Sequence, residues 1–430
     1  MDLKGKSKTS VTFHSGILTI GGTVIEVRYE DARIFFDFGT EFRPELGLTE
    51  ESLGTLLDNR LIPVLSGVYD KRLSGAEKLT NATENLETAV FLSHAHLDHS
   101  KMINYLDPSI PLYTLKETKA ILASLNRKEQ FLLTNPFAPG TRELIGLEAG
   151  SEVMVGKIHV TILPVDHDAY GAAALLIKTP DAFLTYTGDL RLHGYDRELT
   201  EAFCKQAQHT DLLMMEGVSI SFDDRDEEAD TETLPSEQAL ITRLVELVAA
   251  NPQRQVTFNG YPANVKRFAA ILTAAPRTVV LEANMAALLQ EVLGLDAYYY
   301  YPTGATKIPS LKPELAVSYE TLLADQEQYL WQVVDHFEAL QPGGLYFHLD
   351  AEPLGDFDPA YQVFLDLLAK QDITFLRLAC SGHAFPEDLD RIIAMIQPKT
   401  LVPIHTLKPE KLVNPYGERI LPSRGDTIVL

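Results

Sequence analysis

The stretch from Thr88 to Ser100, TAVFLSHAHLDHS, runs an apolar tract straight into three histidines and one aspartate within six consecutive residues. His94 and His96 stand two apart, so in extended backbone both leave the same face, while Asp98 and His99 follow where the chain can turn into a helix. That layout suits two adjacent metal ions. A lone H-x-H is often an accident of surface or core, but a full H-x-H-x-D-H after a buried strand is not. One cluster cannot close a pair of metal sites. The chain must therefore fold so that further nitrogen and oxygen ligands reach the same place, and strand ends are where they are to be sought.

They are found there. "KIHVTILPVDH" and "AFLTYTGD" each read as a strand with polar residues at its C-terminal end, and these place His167 and Asp189. Earlier, Val11 to Glu41 reads as two or three short strands, with Gly21-Gly22 as a turn and "ARIFFDFG" as a buried strand ending in Asp37 and a glycine. Alone, His167 or Asp189 would be taken for a turn-capping or surface side chain. Beside the upstream cluster they complete a metal-binding set, and an aspartate between two metals can bridge them with its two oxygens.

After Glu216 the texture changes. "SEQALITRLVELVAANP", "ANVKRFAAILTAA" and "NMAALLQEVLG" read as helices, and "RQVTFNG", "RTVVLEA" and "GGLYFHLD" as strands. This alternation predicts parallel-sheet α/β units. "SYETLLADQEQYLWQVVDHFEAL" reads as another helix or helix pair. The chain of 430 residues, 45% of them hydrophobic, is long enough for two domains with their own cores. The acidic run from Ser221 to Glu237 reads as a solvated loop or helix start at a domain boundary. The net charge of −23 argues against a protein that coats nucleic acid with its whole surface, and leaves room for a local basic or metal-charged cleft. Cys204 and Cys380 are too few for a disulfide framework and read as buried free thiols. No signal-like N-terminus or membrane-length apolar run is present, so a soluble, cytoplasmic protein with no membrane partner is expected.

Taken in order, Asp37, "HAHLDH", His167 and the "TGD" aspartate resemble the metallo-β-lactamase superfamily. Three later motifs resemble those of its β-CASP branch, which includes ribonuclease J: Glu216 in "DLLMMEG", His383 in "CSGHAFPEDL" and His405 in "TLVPIHT". The resemblance covers nearly the whole chain. It implies an α/β fold, an αββα metallo-β-lactamase sandwich with an inserted α/β β-CASP domain. The expected division is 1–216 and 376–430 for the sandwich and 217–375 for the insertion, with "GERILPSRGDTIVL" as a closing strand and no extra C-terminal domain.

The same resemblance implies two zinc ions, with manganese as the alternative. His94, His96 and His167 would hold one, Asp98, His99 and His405 the other, and Asp189 would bridge. Asp37 would orient the ligands. Asp98, Glu216 and His383 would be catalytic, with His383 a phosphate contact or general acid and Glu216 behind it. Ser381, Gly382, His383 and Ala384 would bind substrate, the small residues of "SGHA" letting backbone N–H groups approach a phosphate. The function expected is a zinc-dependent nuclease that hydrolyses RNA, or single-stranded DNA, with a metal-activated hydroxide in a cleft between the domains, acting as an exo- or endonuclease. A homo-oligomer is left open. The alternatives are a metallohydrolase of a small phosphodiester or thioester and a non-catalytic metal-loaded binding protein. Lys266 and Arg267 stand at a helix start, where a basic pair usually faces solvent and could alternatively supply a phosphate track, and His193 is expected to be structural or on the surface.

Overall fold

The computed structural model describes residues 8–79, 85–222, 230–355 and 357–430. Most of the acidic run, 223–229, lies outside the described residues. The chain divides into two compact units, one running to Leu192, resuming at Asp196 and closing with Gly382–Leu430, the other holding His193–Tyr195 and the chain up to Ser381. The return to the first unit thus falls between Ser381 and Gly382 rather than at 375/376. The reason is that the last strand of the second unit continues to Ala379.

The first unit packs two seven-stranded sheets face to face. One runs Thr427–Val429, Ser10–Ser15, Val24–Tyr29, Ala32–Phe36, Glu87–Phe91, Leu112–Leu115, Ile145–Leu147. The other runs Glu418–Arg419, Thr400–Ile404, Leu212–Glu216, Phe183–Tyr186, Ala173–Lys178, Ile158–Pro164, Glu152–Val155. The chain's final segment therefore gives a strand to each sheet. Strict alternation in Ser10–Ser15 turns Val11 and Phe13 inward. Their core is continuous with Ile25, Phe36 and Phe91 of one sheet and with Ile158, Val160, Ile162, Leu184 and Met214 of the other. Phe36 stacks on Tyr186 across the two sheets, ring centroids 4.3 Å apart. Helices Arg197–Gln206 and Pro386–Ile396 cover the outer face of the second sheet through Phe203, Leu389 and Ile393. The expected αββα sandwich with an inserted domain is the architecture found.

Parallel pairing within each sheet decides where the polar strand ends gather. Ala32–Phe36 and Glu87–Phe91 are parallel with Phe36 opposite Phe91, so Asp37 and the Ser93–His99 segment emerge at one end. Leu212–Glu216 is flanked in parallel by Phe183–Tyr186 and Thr400–Ile404, with Glu216 opposite Ile404. Asp189, Glu216 and His405 thus emerge together at the second sheet.

The second unit is one seven-stranded sheet, ordered Thr231–Thr233, Thr374–Ala379, Leu345–Leu349, Val256–Gly260, Tyr329–Gln332, Thr278–Glu282, Tyr298–Tyr300, with all its pairs parallel. The stretch read as a helix or helix pair, Ser318 to Leu340, is instead a short helix Tyr319–Ala324, the strand Tyr329–Gln332 and a turn of 3₁₀ helix Phe337–Ala339. Tyr329, Leu330 and Trp331 sit in a strand wedged between two neighbours, where tertiary pairing overrides a helical-looking pattern. Cys204 and Cys380 are buried free thiols. No helix among the described residues is long and apolar enough to cross a membrane.

Candidate metal centre

The sharp turn after Ala32–Phe36 brings the chain against the histidine cluster. Gly39 lies so close that a Cβ there would come within 1.7 Å of the Asp98 carbonyl oxygen, so only glycine fits. Phe38 N–H donates to the His99 carbonyl at 2.8 Å. His96 then opens the short helix Leu97–Ser100, which carries Asp98 and His99, as the spacing predicted.

Ring orientation is fixed from behind. The Ser93 hydroxyl donates to Asp37 Oδ2 (2.8 Å) and so accepts from His94 Nδ1 (2.9 Å). His99 Nδ1 donates to Asp37 Oδ2 at 2.8 Å. His167 Nδ1 donates to the Gly382 carbonyl at 2.5 Å. In each of these three rings Nδ1 carries a proton, so Nε2 is the nitrogen left to offer a lone pair to the interior when the ring is neutral. At His405 the Gly21 N–H donates to Nδ1 at 3.0 Å. The neutral ring then carries its proton on Nε2, and loading a cation there requires that proton to leave.

The inward nitrogens converge on one carboxylate. Asp189 Oδ2 lies 3.2 Å from His99 Nε2, 3.5 Å from His405 Nε2, 3.6 Å from His94 Nε2 and 3.9 Å from His167 Nε2. A single oxygen of Asp189, rather than its two oxygens in turn, faces both clusters. Asp98 Oδ2 is 3.5 Å from His405 Nε2 and 3.6 Å from His99 Nε2. His94, His96, His167 and Asp189 form one group able to hold an ion, Asp98, His99 and His405 a second, and Asp189, His383 and His405 a third, with ligand atoms in each within 4.8 Å of one another. Nε2 of His94, His99 and His405, Oδ2 of Asp189 and Oδ1 of Asp168 are buried and make no hydrogen bond among the described residues. So many buried polar atoms turned on one another without a hydrogen bond are costly unless a cation lies among them, so the residues fit a metal.

Burial would lower His99, but the carboxylates of Asp189, Asp98 and Asp37 hold it well above the usual imidazole range, so a cation reaching its Nε2 displaces a proton. Three other ligand imidazoles go the other way. Burial pushes His94 well below the usual imidazole range, His167 down to about 3, and His405 down as well. Burial opposes ionisation of Asp189 and Asp168, but the imidazoles beside them hold both carboxyls below their ordinary range. His383 behaves differently. Burial works against its protonation, yet Glu216 overcomes this and lifts it to about 9. His383 Nδ1 is 3.2 Å from Glu216 Oε1, and Glu216 Oε2 accepts from Val218 N–H at 3.0 Å.

Among the expected substrate contacts, Gly382, His383 and Ala384 belong to the first unit and Ser381 to the second. The Ser381 carbonyl lies 2.9 Å from His193 Nε2, a structural role for that histidine. The Ala384 N–H donates to the Leu190 carbonyl at 2.7 Å and is not open to a phosphate. Arg267 overturns both the solvent-facing and the phosphate-track readings: it is buried and bidentate to Glu237, with both bonds at 2.9 Å, and Asp350 lies 3.3 Å away. Sequence reasoning missed Ser93, Tyr186 and Asp168. Ser93 and Asp168 each adjoin a histidine of the set, and asking what orients each ring would have pointed to them.

Residues 74–251 match the β-lactamase superfamily domain. The chain is 20% identical over 437 residues to ribonuclease J of Mycoplasma genitalium, covering 94% of this chain and 69% of that protein. It superposes with a TM-score of 0.94 on the crystal structure of a protein of unknown function from Enterococcus faecalis V583, at 65% identity, over 98% of this chain and 100% of the other.

Proposed function

We propose that this chain, which matches a β-lactamase superfamily domain over residues 74–251 and is similar along most of its length to a ribonuclease J, is a zinc-dependent nuclease of the metallo-β-lactamase superfamily's β-CASP branch acting on RNA or single-stranded DNA. The superfamily is one of metal-dependent hydrolases, and the histidine and aspartate groups suit that chemistry. His94, His96 and His167 would hold one ion, Asp98, His99 and His405 the other, with Asp189 between them. Mixed imidazole and carboxylate donors favour zinc, with manganese next. When bound, such a pair of ions lowers the pKa of water and neutralises phosphoryl oxygens.

The observation that carries a phosphodiester substrate is the Glu216–His383 pair at 3.2 Å beside this centre. Glu216 favours the protonated ring of His383, which would let it meet an anionic phosphoryl group and release a proton to the departing oxygen. Asp37 keeps His99 aimed, and Asp98 joins the ligands of the second ion.

The test is to incubate metal-replete protein with 5′-labelled single-stranded RNA bearing a monophosphate or a hydroxyl and to map product lengths. Mononucleotides alone mean exonucleolysis, and internal fragments mean endonucleolysis. The net charge of −23 favours one second reading, a small phosphodiester or thioester substrate. Intact RNA alongside cleavage of such a small substrate would replace the nuclease reading with that one, and no cleavage of either would leave a metal-loaded binding protein.

A further inference from the structure

We propose that Asp168 is an additional metal ligand, supplying a carboxylate oxygen to the ion position built by His94, His96 and His167. The inference deepens the metal-centre reading and rests on it, but does not depend on what the enzyme cleaves.

Asp168 Oδ1 lies 3.2 Å from His167 Nε2, the same separation that His96 Nδ1 keeps from that atom, and 3.3 Å from the outer nitrogen of His96, Nε2. Donors sharing a tetrahedral zinc at about 2.0–2.1 Å stand about 3.3 Å apart, so Asp168 Oδ1 and His96 Nδ1 each keep ligand spacing from His167 Nε2. A hydrogen bond does not account for the contact with His167. That ring's proton is on Nδ1, given to the Gly382 carbonyl, so Nε2 turns a lone pair toward the carboxylate oxygen. Two acceptors held face to face in a buried place repel unless a positive charge lies between them. Among the described residues the oxygen has no hydrogen-bond partner to compensate.

The backbone makes room for this carboxylate. A Cβ on Gly382 would come within 2.6 to 2.8 Å of the Asp168 carboxyl atoms. Gly382 therefore serves the centre twice, its carbonyl orienting His167 and its missing side chain admitting Asp168. A second carboxylate beside three neutral imidazoles makes this position more anionic and more oxygen-rich, which tightens its hold on a divalent ion and widens tolerance for manganese.

The experiment uses the full chain as wild type, Asp168→Asn, Asp168→Ala and Gly382→Ala, each checked for native circular dichroism. Apo protein is titrated with zinc against a chromophoric chelator, and separately loaded with cobalt(II) for its visible spectrum, which reports the ligands on the ion. Both Asp168 variants are expected to bind one of two zinc equivalents at least about 10-fold more weakly and to alter the cobalt spectrum. Gly382→Ala, by displacing the carboxylate, should move both readouts the same way. Asp168→Asn with wild-type affinity and spectrum overturns the proposal. So does weaker binding with an unchanged spectrum, which would place Asp168 on the outer nitrogen of His96 instead of on the ion. Wild type that takes up no metal would defeat the metal-centre reading itself, a result separate from either.

Discussion

Asp37 adopts a left-handed backbone conformation, φ 60°, which costs most residues about 1 kcal/mol and which aspartate tolerates better than most. Its carboxylate accepts from Ser93 N–H and Oγ, His99 Nδ1 and the Tyr186 hydroxyl. Asp37→Asn replaces an acceptor with an amide that cannot serve all four donors. Zinc affinity is expected to fall about 10- to 100-fold, read by chelator competition, and an unchanged affinity would show that His99 holds its pose unaided. His383 and His405 separate in the same way. His383→Ala should keep its metal while single-turnover cleavage drops about 10²-fold or more, whereas His405→Ala should lose metal as well as rate. The opposite pattern would mean the two roles are exchanged. The set of histidines and aspartates that converges here was legible in the sequence because its members stand at fixed spacings after apolar strands. Arg267 was misread because a buried arginine and a surface arginine look alike in one dimension. Its partner Glu237 is supplied by another helix, and only folding brings the two together.

Among elements, the strand Thr278–Glu282 ends in a carboxylate that is buried. Glu282 Oε1 accepts from Val334 N–H at 2.9 Å and the Tyr300 hydroxyl at 3.3 Å, and burial raises its pKa to about 7. The unfolded chain titrates Glu282 near 4.5, so between these values the native state binds more protons and stability falls as pH rises. The neutral form's contribution is whole below the lower value and gone above the upper one. Glu282→Gln keeps the acceptor and removes the titration. From about pH 5.5 to about pH 8, wild type should lose about 2 kcal/mol relative to the variant in urea unfolding, and parallel curves would refute the shift. The adjacent strand Tyr329–Gln332 was hidden by the helical pattern around it. It is short, and what fixes it is pairing with Val256–Gly260 on one flank and Thr278–Glu282 on the other, partners so far upstream that local propensity carries no information about them.

At the scale of the molecule, each unit has a core of its own, and every residue of the metal centre lies in the sandwich. The alternation after Glu216 made the insertion legible. Its end was misplaced because a boundary depends on where the last strand stops pairing. Leu212–Glu216 and Thr400–Ile404 pair across the whole insertion, so the sequence separation between Glu216 and His405 is bridged by one parallel ladder. A cation that draws Asp189, His99 and His405 together therefore ties the two sheets at the ends of their strands. Binding to the native state alone stabilises it by about 4 kcal/mol when free metal is about 1,000 times its dissociation constant. Amide hydrogen exchange localises that energy. Zinc should slow exchange up to about 10³-fold at Ser93, His99 and His405, whose amides open only when the centre opens, while Phe258 and Phe347 in the parallel sheet of the second unit keep their apo rates. Equal slowing in both units would mean that they open as one, and that the centre stabilises the whole chain rather than the sandwich that builds it.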